Sequence, residues 1–161
     1  VRSTLGCGTV FGLTLARGTR PLPVALPASV ASQATDSAGL TVLVVDNEPQ
    51  ALAALAGVLR GWGCVVHEAH DEASARAQLA AHSVALWLFD YNLDKGDTGT
   101  ALRQRLADDG LARPTLILSA DDSLATRREV LEQGLTLLHK PVRPLALKSV
   151  LDRLLAAAAS G

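Results

Sequence analysis

The chain predicts an α/β fold, a five-stranded doubly wound parallel sheet with helices on both faces. Three observations predict it. Apolar runs of strand length recur at 41–46, 64–69, 85–90, 114–119 and 135–139. Segments with helical spacing separate them, and strands alternating with helices favour a parallel sheet covered on both sides. The runs are nearly continuous rather than alternating in polarity, as strands buried on both faces require. Crossovers in such a sheet are right-handed, and ligands bind beyond the carboxyl ends of its strands, where the strand order reverses.

In order along the chain, residues 1–16 form an appendage, and residues 17–39 read as a linker. Pro21, Pro23 and Pro27 fall there among Ala, Ser, Thr and Gly with no periodicity. The compact domain is expected over 40–158. Its first strand, in VLVVDNEP (42–49), runs into Asp46, Asn47 and Glu48. Leu52, Leu55, Leu59 and Trp62 then mark one face of a helix. Cys64 opens the second strand as a small core residue. His67 and His70 in HEAHD are spaced by three, not the four that a zinc-binding helix needs. Residues 71–82 are alanine-rich and make the least periodic helix. The third strand ends in LWLFDYN at Asp90, the loop DKGDTG (94–99) follows, and Leu102 and Leu106 mark the next helix. The fourth strand, PTLILSAD (114–121), carries Ser119 at its end; Asp122 or Ser123 caps the helix after it and Gly134 closes that helix. The fifth strand, LTLLHKPV (135–142), delivers Lys140, and Leu147, Val150, Leu151 and Leu154 mark the last helix. Only residues 156–161 follow, so no DNA-binding output domain is expected there.

Composition narrows the function. The chain has 161 residues, 48% hydrophobic and 19% charged, which is a globular balance. A net charge of −1 gives no basic field for nucleic acid, and 3% aromatics gives no stacking platform. Two distant cysteines make neither a metal set nor a disulfide scaffold. No apolar run reaches the ~20 residues of a membrane span, and VFGLTLA, followed by Arg17, is too short for a signal peptide. With no methionine and Val1 first, the chain reads as a fragment of a longer protein.

In a parallel sheet the strand ends share one rim, so Asp46, Asn47, Asp90, Ser119 and Lys140 converge there. Neighbouring carboxylates raise each other's pKa unless a cation lies between them. Hard oxygen donors with water favour Mg²⁺. A metal, an ammonium and a hydroxyl donor are what the oxygens of an incoming phosphoryl group need. Asp90 is then the nucleophile that forms an acyl phosphate.

On the motifs VLVVDNEP, LWLFDYNL, LILSA and LLHKP, in this order, residues 40–158 resemble a receiver domain of two-component signalling. The resemblance implies the flavodoxin-like strand order 2-1-3-4-5. It implies that Asp90 accepts a phosphoryl group with Mg²⁺ from a phosphohistidine on a histidine kinase or histidine phosphotransfer domain, and that the domain promotes its own phosphotransfer and dephosphorylation in the cytoplasm. It makes Asp46, Asn47, Asp90 and the Asn92 carbonyl the metal ligands. Ser119 and the Ala120 amide follow the phosphoryl group, Lys140 bridges to Asp90, and Lys140–Pro141 is cis. Two positions depart from the pattern. Asn47 stands where a second acid is usual, so weaker Mg²⁺ binding is expected; Glu48 either compensates or serves as a helix N-terminal charge. Leu137 stands where many relatives carry an aromatic switch residue, so hydroxyl-to-aromatic coupling is not expected. The DKGDTG loop is longer than the common pattern. Asn92 and Asp121 flank the site, and a polar pair there implies a short-lived phosphoaspartate.

Residues 3–16, STLGCGTVFGLTLA, carry S-x-x-G-x-G-T-x-F spacing and resemble the closing strand of a histidine-kinase ATPase domain. That implies a hybrid sensor histidine kinase as parent. Two other readings stay open: a pseudo-receiver that only binds partners, and an aspartyl-phosphate hydrolase of the haloacid dehalogenase type. The second needs an acid two residues after Asp90, where Asn92 stands.

Overall fold

The computed structural model describes residues 2–4, 8–10 and 39–159. The chain divides into two units, 1–31 and 32–161. In the first, β1 (Arg2–Thr4) pairs antiparallel with β2 (Gly8–Val10), with Ser3 opposite Thr9. The linker expected over 17–39 lies, but for Gly39, outside the described residues.

The second unit alternates strictly: β3 (Thr41–Val45), α1 (Pro49–Gly61), β4 (Val65–Ala69), α2 (Glu72–Ala81), β5 (Leu86–Asp90), α3 (Gly99–Asp108), β6 (Thr115–Ser119), α4 (Leu124–Glu132), β7 (Thr136–His139) and α5 (Pro144–Ala159). All five strands are parallel in the order β4-β3-β5-β6-β7, which is the expected 2-1-3-4-5 counted within this unit. The chain reverses direction across the sheet between β3 and β5, and the helices lie on both faces.

Side chains alternate between two cores, as the two-residue period of a strand dictates. Leu43, Val45, Trp87, Phe89 and Ile117 face α2, α3 and α4 through Ala75, Leu102, Leu106 and Val130. Val42, Val44, Leu86, Leu88, Leu116 and Leu118 face α1 and α5 through Leu52, Leu59, Leu147 and Leu151. Every residue of β5 and β6 is buried, which is why those runs show no polar alternation in sequence. The thiol of Cys64 is buried, and burial pushes its pKa up, so it packs as a core residue.

Local chemistry fixes the helix starts. The alanine-rich α2 buries only Ala75, yet begins with a reciprocal cap: Ser74 N donates to Asp71 Oδ1 at 2.8 Å and Asp71 N to Ser74 Oγ at 3.1 Å. Of the two candidates for α4, Ser123 is the cap, accepting from Thr126 N at 3.2 Å. Gly134 follows that helix at φ 68°, the left-handed turn that glycine adopts freely. Among the described residues no helix is long and apolar enough to cross a membrane.

Candidate functional site

Register brings the polar groups together. Val45 lies beside Phe89, so the next residues, Asp46 and Asp90, emerge side by side on the carboxyl rim. Ser119 lies beside His139, and Lys140 N donates to Ser119 O at 2.7 Å, which carries the ladder one residue further. The Lys140 ammonium then reaches back across the rim, Nζ lying 2.8 Å from Asp46 Oδ2 and 2.5 Å from Asp90 Oδ1. Asp46 is 2% exposed and Asp90 7%, so these are largely buried ion pairs rather than solvated surface contacts.

Backbone amides hold the other carboxylate oxygens. Glu48 N donates to Asp46 Oδ1 at 2.9 Å, and Asn92 N to Asp90 Oδ2 at 3.2 Å. Ser119 is fully buried, and its Oγ accepts from Asp121 N at 3.0 Å. Burial pushes the Asp90 carboxyl above the usual range; the Lys140 ammonium opposes that shift and the Asp46 charge reinforces it. Burial alone would pull Lys140 down, but the Asp46 and Asp90 carboxylates outweigh it and hold the ammonium above its ordinary value. The two directions have different causes: burial raises Asp90 against the pull of the ammonium, and the two carboxylates raise Lys140 against burial.

The residues expected at the site divide accordingly. Asp46, Asp90 and Lys140 are in direct contact, Ser119 sits one strand along, and Asn92 touches Asp90 through its amide. The Lys140–Pro141 peptide is cis. Asn47 turns to the β5–α3 loop, where its Nδ2 donates to Asp94 Oδ1 at 2.7 Å. The Asp121 carboxylate faces the start of α4, accepting from Ser123 N at 2.8 Å, Ser123 Oγ at 2.9 Å and Thr126 Oγ1 at 2.7 Å. Glu48 is exposed at the N-cap position of α1 and makes no side-chain cap bond. Leu137 packs, partly buried, against the α2–α4 core.

Three contributors escaped the sequence reading. Gly99 begins α3 against the back of the site: a Cβ there would lie 2.2 Å from the Asp90 carbonyl oxygen, so only glycine fits. The Thr-Gly-Thr run that closes the loop and opens α3, with Thr98 capping that helix, was the available signal. Glu129 on α4 accepts from Tyr91 Oη at 2.7 Å and Thr100 Oγ1 at 2.5 Å, tying the segment after Asp90 to that helix. Asp94 is the third, and nothing local in the sequence marks Glu129 or Asp94 as partners of the residues they meet.

The donor set suits Mg²⁺. Among the described residues no three His, Cys, Asp or Glu side chains gather as a metal group. What the rim shows is the Asp46 and Asp90 carboxylates, both hard oxygen donors, and the Asn47 and Asn92 residues close to them in the chain carry further hard oxygens. Mg²⁺ commonly takes one or two carboxylates and keeps several waters. Each carboxylate oxygen of Asp46 and Asp90 has one protein donor, which leaves a second lone-pair direction on each.

Fold and rim together define an open α/β domain whose chemistry gathers at the switch point of its sheet. The chain belongs to the response regulator receiver domain family, which residues 42–152 match. It is 33% identical over 118 residues to the transcriptional regulatory protein ZraR of Salmonella typhimurium, covering 73% of this chain and 26% of that protein. The chain thus spans about a quarter of the length of this curated relative. Among solved structures it is similar to the signal receiver domain of an HD domain-containing protein from Pseudomonas fluorescens Pf-5. There the TM-score is 0.69 at 23% identity, over 76% of this chain and 99% of that one. It is also similar to the chemotaxis protein CheY4 of Vibrio cholerae, with a TM-score of 0.66 at 25% identity, over 73% and 99% of the two chains.

Proposed function

We propose that this receiver domain takes a phosphoryl group onto Asp90 from the phosphohistidine of a histidine kinase or histidine phosphotransfer domain. An Asp90 carboxylate oxygen attacks phosphorus, the O–P bond forms as the P–N bond breaks, and the electron pair stays on the imidazole nitrogen, which takes a proton from solvent. Asp46, Asn47, Asp90 and the Asn92 carbonyl would hold Mg²⁺, which when bound neutralises charge on the transferring group. The Lys140 ammonium supplies a fixed positive charge beside the acceptor, and the Ser119 hydroxyl and Ala120 amide are the donors for the remaining phosphoryl oxygens. The observation that carries this reading is the Lys140 ammonium spanning Asp46 and Asp90 at the ends of neighbouring strands.

An apolar groove of ≈ 340 Å³ opens beside that ammonium, lined by Ala54, Leu55 and Val58 of α1 together with Pro141, Pro144 and Leu147. The S-x-x-G-x-G-T-x-F spacing of residues 3–11 supports a hybrid sensor histidine kinase as parent, with 1–16 the end of its ATPase domain, 17–39 a linker and 40–158 the receiver, working in the cytoplasm. An upstream reading frame that lacks a kinase ATPase domain would remove that part.

The test is intact-mass spectrometry after incubation with Mg²⁺ and a small phosphodonor. One added phosphoryl mass is expected, absent without Mg²⁺ and absent in Asp90→Ala. If the unaltered chain gains no mass, the domain acts as a pseudo-receiver that binds partners without phosphorylation. Asn47 is the specific feature that would favour such an outcome.

A further inference from the structure

The Asn47 amide hydrogen bonds to a carboxylate 47 positions away in sequence. A carboxylate only accepts, so Asn47 must present its NH₂ to Asp94, and its own oxygen is turned away from that contact. We propose that Asp94 is a positioning residue of the cation pocket. It locks the Asn47 amide with Oδ1 as a neutral ligand, and it returns, one bond further out, the negative charge that position 47 lacks. This inference rests on the Mg²⁺ reading above and assigns a role to a loop which that reading leaves idle.

The loop is built to hold Asp94 in place. Asp94 opens a single 3₁₀ turn, with Asp97 N donating to Asp94 O at 3.2 Å and with Lys95 and Gly96 at φ 62° and 76°. Arg105 of α3 clamps the far end, its NH2 lying 2.5 Å from Asp97 Oδ2 and its NH1 3.2 Å from Asp97 Oδ1. A bridge between Asn92 and Thr98 closes the base, so the loop is tied to the strand segment that follows Asp90. The Asn47–Asp94 bond itself is exposed, and exposed polar pairs contribute little to folding. Stability therefore does not account for it, whereas groups that orient a metal's ligands commonly lie in this position.

The test is calorimetric titration of the full chain with Mg²⁺ alone, which needs no phosphoryl transfer. Asp94→Ala is expected to weaken Mg²⁺ binding about ten-fold, the scale typical of lost ligand-orienting partners. Asp94→Asn, which keeps an acceptor for the Asn47 amide, is expected to lose less. The deciding arm repeats Asp94→Ala in the Asn47→Asp background. There two carboxylates face each other, so removing Asp94 is expected to leave affinity unchanged or to tighten it. Equal weakening in both backgrounds, or no weakening in the natural one, overturns the proposal. So does a fall in the metal-free thermal midpoint that parallels the loss of affinity. If the unaltered chain does not bind Mg²⁺, the cation reading falls and this proposal with it. If the unaltered chain binds Mg²⁺ and Asp94→Ala binds equally well, this proposal alone falls.

Discussion

Lys140 must answer two carboxylates with one charge, and that imbalance sets the behaviour of the site residue by residue. Asp46 and Asp90 lie nearly buried, and in the absence of a metal ion the single Lys140 charge leaves one carboxylate charge unbalanced, which works against the fold. Asp90→Asn is therefore expected to stabilise the Mg²⁺-free chain by about 1–2 kcal/mol, the usual direction when a functional charge is removed. Urea unfolding midpoints measured with and without Mg²⁺ check this, since Mg²⁺ is expected to shrink the difference. Gly99 works in the opposite sense. Its missing Cβ leaves room for the Asp90 carbonyl, which would otherwise be met at 2.2 Å. Gly99→Ala should cost about 1–3 kcal/mol through overpacking and should slow phosphorylation of Asp90 by shifting it. A thermal melt together with a time course of phosphoryl mass tests both. Asp46, Asp90, Ser119 and Lys140 were legible because each ends an apolar run. Gly99 was not, because the contact that demands a glycine comes from a strand residue nine positions earlier.

Among the elements, the edge strand β4 carries a pH-sensitive contact. His67 on β4 stacks on His82 at the end of α2, with ring centroids 3.9 Å apart and planes 18° from parallel. Burial, and then the neighbouring His82 ring, hold His67 below the usual imidazole range, while a hydrogen bond with Gln78 pulls the other way. The neutral ring is thus favoured in the fold, and at His67 the folded chain binds fewer protons than the unfolded one. The stabilisation is fully present above the unfolded imidazole pKa of ~6.5 and is lost as pH falls through the lower folded value. Thermal midpoints should decline from pH 7 towards pH 5, and His67→Gln should flatten that decline. An unchanged slope in the variant would assign it elsewhere. Element positions followed closely from periodicity, since a strand's two-residue and a helix's 3.6-residue repeat are local. The α2 cap did not, because Asp71 and Ser74 become partners only through a turn of the backbone.

At the scale of the whole second unit, the sheet divides two clusters of buried side chains, and among the described residues no side chain belongs to both. Ile117 points into the α2–α4 core and Val44 into the α1–α5 core. Ile117→Val is expected to cost about 0.5–1.5 kcal/mol and Val44→Ala about 2 kcal/mol. Because the sheet lies between the two sites, the double variant should equal the sum within about 0.5 kcal/mol. Denaturant unfolding of the four proteins checks this, and a larger departure would mean that strain passes through the strands. Cooperative unfolding of the unit as one body is compatible with that additivity, because β3, β5 and β6 contribute alternate residues to both faces.

The sequence by itself determined the order of strands and helices, the double burial of the central strands and the rim on which the polar groups emerge. All of these follow from repeats and strand ends that each residue carries locally. Tertiary structure decided the pairings: Lys140 on Asp46 across 94 positions, Asn47 on Asp94 across 47, and Asp121 on α4 rather than towards Asp90. Those depend on which hydrogen-bonding groups lie within about 3 Å of one another once the strands are in register, and no local pattern encodes that distance.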